Sequence, residues 1–185
     1  MDQEIFYELL FRPIVERLGV LDDTTLIADL GFDDGGPLAL CTIGEGRGAF
    51  VTYISCELAA REDQRPAEFG RYEIMMTCDD ARWAYKILTN LGRMSLQSEL
   101  GHGHTIDIGP MVGPKCAVQG LVTEEFARVT VEGQEYGFLY FHGVTRAELE
   151  FANEIGADEL LERLRQAGVY PRTSLHRRKS IEAVA

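Results

Sequence analysis

The residues with the strongest catalytic character are two histidines and an aspartate in a glycine-rich stretch, His102-Gly103-His104 followed by Asp107. Two histidines two residues apart on an extended segment can bind one metal ion, with the aspartate as a third ligand. The further histidines or aspartates that metallohydrolase motifs require at fixed spacing are missing. A surface loop is therefore the simpler interpretation, and a metal-dependent hydrolase that uses these three residues is the alternative.

The cysteines are a second set of residues with metal-binding or nucleophilic chemistry. They are Cys41, Cys56, Cys78 and Cys116. Their wide spacing forms no C-x-x-C motif, and the first three fall in or beside predicted strands. Thiols in strands usually pack as small apolar groups, so we expect a structural role. A zinc site or a reactive thiol is the alternative.

The remaining candidates for catalysis also have simpler structural interpretations. Glu57 and Glu73 can lie on neighbouring strands, where paired carboxylates perform acid–base chemistry, but we expect both to face solvent on an open sheet. His142 lies in an aromatic strand and fits a satisfied, half-buried residue. The glycine-rich residues 44–48 precede a strand and lack a following Lys-Ser/Thr, which favours a hairpin turn over a phosphate-binding loop. We predict no enzyme, cofactor or metal site.

Charge indicates which partners the chain can bind. The 185 residues carry a formal net charge of −12, which disfavours nucleic acid and is compatible with a protein partner that has a basic surface. Residues 1–170 are predicted to form one domain. Residues 171–185 form a basic tail, which either folds back on the acidic body or is an unstructured solubility element.

The ends of the chain and its apolar runs predict its compartment. The N-terminal residues MDQEIFYELL have neither the basic start nor the apolar run of a secretory signal. No apolar stretch approaches the roughly 20 residues of a membrane span. We therefore expect a cytoplasmic protein without a membrane partner, in which the cysteines remain thiols.

Hydrophobic periodicity predicts an α+β fold. Helices are predicted over residues 2–18, with a kink or break near Pro13, over a segment from Asp80 to a stop at Gly92, and over two segments after Thr145. Strands are predicted over 24–30, 37–43, 49–58, 69–77, 105–108, 116–122, 126–131 and 136–144, with an exposed loop over 59–67. Because strands follow one another rather than alternating with helices, we predict a single domain with a mainly antiparallel mixed sheet packed with helices.

Four groups of residues resemble the suppressor-of-fused domain family, in the same order and from about residue 37 to 179. The first two are Tyr53-Ile54-Ser55 with Leu58, and Phe69-Gly70 with Tyr72-Glu73-Ile74. The third is Trp83, Leu88, Leu91 and Arg93 followed by Gln97-Ser98-Glu99. The fourth runs through Gly137, Phe141-His142-Gly143-Val144, Thr145-x-x-Glu148-Leu149, Gly156-x-x-x-Leu160-Leu161 and Arg177-Arg178.

The resemblance implies a non-enzymatic, protein-binding domain. An animal member of the family sequesters a transcription factor by clamping an extended peptide, as an added β-strand, between this domain and a second one. This chain ends where the second domain would begin, so we expect half of that clamp. Cys56 and Glu57 replace a peptide-facing aromatic residue and a glycine of the family, so that ligand is not carried over. Stand-alone bacterial domains of this type resemble immunity proteins that neutralise a toxin.

The leading hypothesis is therefore a domain that binds and neutralises or sequesters a protein partner, as an immunity protein does with a basic toxin domain. The expected binding surface comprises Tyr53, Ser55, Cys56, Glu57, Leu58, Glu62 and Asp63. The alternatives are the metal-dependent hydrolase of His102, His104 and Asp107, and a structural subunit of a homo-oligomer.

Overall fold

A computed structural model describes residues 2–22, 26–32, 36–44, 50–177 and 180–181. Within these ranges the elements are, in chain order, α1 (Gln3–Leu18), β1 (Leu26–Phe32), β2 (Gly36–Gly44), β3 (Val51–Ser55), β4 (Arg71–Cys78), α2 (Ala81–Gln97), β5 (Thr105–Asp107), α3 (Gly109–Val112), β6 (Gly120–Val131), β7 (Gln134–Val144), α4 (Arg146–Ile155), α5 (Ala157–Gln166) and β8 (Arg172–Thr173). The glycine-rich turn 45–48, part of the turn predicted before β2, and Arg178 lie outside the described residues.

One mixed sheet carries the fold. Its strand order is β1-β2-β3-β4-β7-β6-β5, with β8 paired to the end of β4. The β4 pairings with β7 and β8 are parallel, and the other pairings are antiparallel. The predicted α+β class with a mainly antiparallel mixed sheet is confirmed. The two segments predicted at 116–122 and 126–131 form the single strand β6, which contains a bulge near Phe126.

Alternation of side chains along the strands builds a core on each face of the sheet. On β4, Tyr72, Ile74 and Met76 pack in a cluster with α2. Met75 points the other way, into a cluster with α1. A third cluster joins α4 and α5 to the sheet through residues such as Val144. The period of two in β4 therefore predicts correctly which residues share a face.

Helix α2 begins as predicted but does not end where Gly92 suggests. Asp80 caps its start by accepting a hydrogen bond from the Trp83 N–H at 2.8 Å. The helix continues past Gly92 to Gln97, and Ser95 and Gly92 are both buried against the core. Packing of this last turn outweighs the helix-breaking tendency of glycine, which is about 1 kcal/mol. Trp83, near the start of the helix, is only partly buried at the margin of the core.

The remaining helices mostly follow the sequence. Helix α1 runs through Pro13 as one helix, so no break occurs there. The Thr145-x-x-Glu148 spacing forms a capping box at the start of α4, since Thr145 and Glu148 each accept a hydrogen bond from the other's backbone N–H. On α5, Arg163 Nε donates to Glu159 Oε1 at 2.8 Å. No helix in the described parts of the chain is both long and apolar enough to cross a membrane.

The connection 59–67 and the residues after 170 pack more closely than the sequence indicates. Gln64 is buried, and its amide forms hydrogen bonds with both the N–H and the C=O of Tyr72, at 2.9 and 2.8 Å. The exposed loop predicted here is therefore wrong for this residue. After residue 170, Thr173 and Ile181 are buried. The part of the basic segment that the structure describes thus folds back on the body.

Candidate functional site

The histidine–aspartate cluster does not assemble into a metal centre. His102 Nε2 lies 2.8 Å from Asp158 Oδ1. Both carboxylate oxygens of Asp107 accept hydrogen bonds from the Arg146 guanidinium at 2.8 Å, which lowers the pKa of Asp107. His104 is among the described residues. Within those residues, no group of three or more His, Cys, Asp or Glu side chains is placed to hold a metal ion. The hydrolase alternative therefore lacks its site.

The strand predicted to bind a partner lies inside the sheet. β3 is hydrogen-bonded to β2 on one side and to β4 on the other, so neither of its edges is free to pair with a peptide. The side chains of Tyr53, Ser55 and Leu58 are 4%, 0% and 0% exposed. These three of the seven expected residues are part of the interior.

Ser55 and Leu58 instead hold a buried carboxylate, that of Glu73 on β4. Ser55 Oγ and the Leu58 N–H donate to Glu73 Oε2, and the Ala59 N–H donates to Oε1 at 2.9 Å. Glu73 is 0% exposed, so the expectation that it faces solvent is wrong. Burial raises the pKa of Glu73 to about 7, against the lowering effect of these hydrogen bonds. The network fixes the chain that leaves β3.

The other expected binding residues lie on the connection that this network holds. Cys56 and Glu57 are half-buried, and burial raises the pKa of Glu57. Glu62 and Asp63 are exposed, and Asp63 forms an ion pair with Arg61 at 2.7 Å. Only these four of the seven residues can present side-chain atoms to a partner.

Cys56 also lines a groove that we call the α1 groove, a concavity of about 530 Å³ between α1 and the β2–β3 face of the sheet. Its lining residues are Tyr7, Glu8, Phe11, Arg12, Val15, Glu16, Leu21, Asp22, Cys41 and Cys56. Apolar side chains from both the helix and the sheet form much of this lining. Val15 is 37% exposed, so part of this apolar surface faces solvent.

The charged side chains of the α1 groove are mainly acidic. Glu8, Glu16 and Asp22 supply three carboxylates, and Arg12 supplies the one guanidinium of the lining. Asp22 Oδ2 accepts a hydrogen bond from Thr42 Oγ1 at 2.8 Å, which ties the rim to β2. An apolar groove with a mainly acidic rim favours an apolar side chain that is flanked by positive charge.

Tyr7 brings an unused polar atom to the wall of this groove. Its hydroxyl is buried and has no hydrogen-bond partner among the described atoms. Burial raises the pKa of Tyr7, and the charges of Glu73 and Glu57 raise it further. A bound group that reached the hydroxyl would supply a hydrogen bond that the free chain lacks.

The apolar residues of α1 could have indicated this groove from the sequence. Periodicity alone does not distinguish apolar residues that line a groove from those that pack in the core. Leu10 and Ile14 on the apolar face of α1 are buried in the core. Tyr7, Phe11 and Val15 follow one another at spacings of four on the same helix and line the groove, although Phe11 is also buried in the core. The apolar stripe on α1 is wider than packing of one helix face against a core requires. That extra width is the signal that the sequence analysis missed.

A second cluster of ionisable residues surrounds His142. The imidazole is buried and stacks on Tyr140 and Tyr170, with ring centroids 4.5 and 4.8 Å away. Its Nε2 lies 3.1 Å from Glu124 Oε2, and Arg165 also pairs with that carboxylate. Burial lowers the pKa of His142. The predicted role as a satisfied structural residue fits this environment.

The residues that carry the family resemblance contact one another across the fold. A Cβ atom at Gly137 would lie 2.2 Å from the Phe69 ring, and one at Gly70, where φ is +90°, would lie 2.0 Å from a backbone oxygen. Arg177 Nη2 donates to Glu148 Oε2 at 2.8 Å. Together with the Ser55–Glu73 hydrogen bond, these contacts show that the signature residues build the interior.

Comparisons with known proteins agree with this pattern. The family model described as Suppressor of fused protein (SUFU) matches residues 35–178. A solved structure titled "the Sufu-Fu complex crystal structure" superposes with a TM-score of 0.70 at 16% identity, over 98% of this chain and 93% of that chain. The crystal structure of Drosophila Suppressor of Fused gives a TM-score of 0.67 at 17% identity, over 97% of this chain.

The match covers 51% of the Drosophila chain, so the present chain spans about half the length of that protein. At these identities the structural similarity shows the fold alone. No curated protein sequence matches the chain. The family model covers most of the chain, and the resemblance found in the sequence is confirmed. The chain belongs to the Suppressor of fused protein (SUFU) family.

Proposed function

We propose that this chain is a non-enzymatic protein-interaction domain that binds a basic segment of a partner protein in the α1 groove. The observation that carries the proposal is the combination, in one concavity, of an exposed apolar lining with the carboxylates of Glu8, Glu16 and Asp22. The similar structure whose title names a Sufu–Fu complex supports binding of a protein partner. The groove adjoins the residues that the sequence assigned to binding, since Cys56 belongs to both sets.

The occupant that best fits is a segment with an apolar side chain between lysines or arginines. The apolar side chain would cover Val15 and Phe11, and the cations would meet the acidic rim. Glu57 would extend the acidic surface, because its charge already acts on Tyr7 in the groove wall. Glu62 and Asp63, farther along the same connection, complete the proposed contact surface. The buried residues Tyr53, Ser55 and Leu58 support this surface from the interior of the fold.

The finer proposal is that the partner is a basic toxin domain and that binding neutralises it. A net charge of −12 supports this, because opposite net charges accelerate association and strengthen a salt-sensitive complex. A toxin segment that binds the groove would be sequestered in a stoichiometric complex. A cytoplasmic location and a capacity to self-associate belong to the same proposal and are tested separately, by fractionation and light scattering.

Peptide selection tests the groove without knowledge of the natural partner. The immobilised chain is used to select from a random peptide library, and the dissociation constants of the enriched peptides are measured at about 50 mM and about 300 mM salt. We expect peptides that combine an aromatic or aliphatic residue with two or more basic residues. Their binding should weaken by about tenfold at the higher salt concentration, because exposed charges are screened.

Charge reversal within the groove supplies the specific variant. Glu8→Lys/Glu16→Lys should abolish binding of the selected peptides. The matched control, Glu150→Lys/Glu154→Lys, makes the same change in net charge on exposed residues of α4 and should retain binding. Selection of peptides without basic residues, or equal loss of binding in both variants, would overturn the proposed site. Neutralisation is tested by co-expression with the toxin-like product of a neighbouring reading frame, which the groove variant should fail to suppress.

A further inference from the structure

Two cysteines meet on the face of the sheet that forms the α1 groove. Cys41 on β2 lies opposite Ile54 on β3 in an antiparallel register. The Cys56 N–H donates to Ala39 C=O at 3.2 Å, which extends the ladder by one pair beyond Leu40 and Ser55. Because side chains alternate along a strand, Ile54 and Cys56 point to the same face as Cys41. The two cysteines are therefore diagonal neighbours on adjacent strands.

The packing around the two thiols agrees with the register. Cys41 and Ile54 belong to the core cluster that contains α1, and Cys56 packs against the same cluster. Both cysteines line the α1 groove. The neighbouring Cys56 thiol, together with burial, raises the pKa of Cys41. The register, the shared core cluster and the shared groove thus place the two thiols side by side.

The pair differs in exposure, which gives each cysteine a separate role. Cys41 is 8% exposed and donates a hydrogen bond to Ile54 C=O at 3.5 Å. Cys56 is half-buried and is the more accessible of the two. A reagent that enters through the groove therefore meets Cys56 first. Cys41 is held behind it, within reach of the same sulfur atom.

The other two cysteines serve as internal comparisons. Cys78 is buried in the cluster on the α2 face, and its thiol lies near Asp79. Cys116 is half-buried in the connection that precedes β6. All four cysteines are free thiols. The Cys41–Cys56 pair is distinguished by two thiols that lie on adjacent strands and line the same open concavity.

We propose that Cys41 and Cys56 form an oxidisable dithiol whose co-substrate is a low-molecular-weight disulfide of the glutathione class. The Cys56 thiolate attacks one sulfur of that disulfide, which forms a mixed disulfide and releases one thiol. The Cys41 thiolate then attacks the Cys56 sulfur and expels the second thiol. Two protein thiols are oxidised to one disulfide, one small disulfide is reduced to two thiols, and the two protons pass to the departing thiolates.

The dithiol is carried by two strands that the sheet already holds together. The strands that carry the two cysteines are already hydrogen-bonded to each other on both sides of the pair. Diagonal neighbours stand about 7–8 Å apart, so the bond forms through rotation of the two side chains and a local approach of the strands. This site does not depend on the proposed partner, because each step uses the chain and the small disulfide alone.

The test is peptide mapping of the reduced, full-length protein after incubation with oxidised glutathione. Trypsin separates the four cysteines, since Arg47, Arg61, Arg71 and Lys115 lie between them. We expect a single linked pair of peptides, residues 18–47 with residues 48–61, and complete reversal by dithiothreitol. Cys78 and Cys116 should still react with a thiol reagent in the denatured, oxidised protein.

Variants distinguish the two roles. Cys41→Ser should accumulate a glutathione adduct at Cys56, at least tenfold above the level in the wild type, because the resolving thiol is missing. Cys56→Ser should form neither product, and Cys116→Ser should behave as the wild type. A disulfide between other cysteines, or a stable adduct at Cys56 in the wild-type protein, would overturn the proposal. The wild-type map decides the question even if a variant fails to fold.

Discussion

Glu73 on β4 and Glu148 on α4 are both buried carboxylates with 0% exposure, and they differ in what faces them. Glu73 is held by neutral donors: the Ser55 hydroxyl and the backbone N–H groups of Leu58 and Ala59. Burial prevails over these hydrogen bonds, and the pKa of Glu73 rises to about 7. This carboxylate therefore changes its charge near neutral pH.

Glu148 is also a buried carboxylate, but it faces the guanidinium of Arg177. Arg177 donates to both of its oxygens, and the N–H groups of Thr145 and Ile181 donate as well. Burial acts to raise its pKa, but Arg177 outweighs that effect and the pKa lies below its usual range. Glu148 thus remains charged where Glu73 is partly protonated.

The difference shows that hydrogen bonds alone do not keep a buried carboxylate ionised in this fold. Each of the two carboxylates accepts several hydrogen bonds, and only the one that faces a guanidinium has a lowered pKa. The Arg177–Glu148 pair also ties the last described part of the chain to α4. The Glu73 network instead fixes the connection that carries Cys56 and Glu57. The Glu148 site thus holds the end of the described chain against α4, and the Glu73 site supports the proposed binding surface.

The largest expected effect comes from removal of the cation. Arg177→Met should destabilise the protein by about 3–5 kcal/mol, because it leaves the Glu148 carboxylate buried without its partner. Urea denaturation at pH 7 measures this loss. Arg146→Met is the control, since it removes an exposed partner of Asp107 and should cost far less. Equal losses in the two variants would contradict the contrast between buried and exposed pairs.

The next effect is a pH dependence that comes from Glu73. Its pKa is raised from 4.5 in the unfolded chain to about 7 in the folded chain, so its contribution to stability is fully present below about pH 4.5 and is lost as pH rises through 7. The loss is about 3 kcal/mol. Glu73→Gln should remove this dependence, because the amide does not ionise.

The measurement is the free energy of unfolding of the wild type and of Glu73→Gln at pH 5 and pH 8. The difference between the two proteins should shift by about 2.5 kcal/mol in favour of the variant as pH rises from 5 to 8. The variant itself leaves one hydrogen-bond donor unsatisfied, and that cost is present at both pH values. A difference that does not change with pH would show that Glu73 remains ionised in the folded protein.

The sequence predicts the elements of this comparison but not their contacts. Ser55, Glu73, Glu148 and Arg177 all belong to the groups of residues that resemble the family, and the capping box of α4 follows from spacing alone. That Ser55 meets Glu73, and Arg177 meets Glu148, depends on strand pairing and on the return of the chain after α5. These contacts span 18 and 29 residues, beyond the range of local periodicity.

The candidate site shows the same limit. Periodicity indicates that Tyr53 and Leu58 are apolar strand positions, but it cannot tell an edge strand from an inner one, which is why a buried strand was assigned to binding. The α1 groove arises where α1 covers the sheet incompletely. That shape depends on how two distant segments pack, and no spacing within either segment encodes it.

A smaller effect should follow from removal of the Ser55 hydroxyl. Ser55→Ala deletes a donor to Glu73 and the acceptor of the Ile74 N–H at 2.9 Å. We expect a loss of about 1–3 kcal/mol at pH 8, where Glu73 is charged, and a smaller loss at pH 5. The pKa of Glu73 should rise further, which carboxyl-selective NMR titration measures. A loss that is the same at both pH values would place the Ser55 contribution outside the Glu73 network.

The smallest effect should come from Thr145→Ala, which tests whether the comparison depends on hydrogen bonds in general. The variant removes a helix cap, since the Thr145 hydroxyl accepts from the Glu148 N–H at 3.4 Å, and should cost about 1 kcal/mol. The bond from the Thr145 N–H to Glu148 Oε2 comes from the backbone and is retained, as are both contacts with Arg177. The pKa of Glu148 should therefore stay low, and the loss should be the same at pH 5 and pH 8. If Thr145→Ala instead raised that pKa as Ser55→Ala does for Glu73, the cation would not be what separates the two carboxylates.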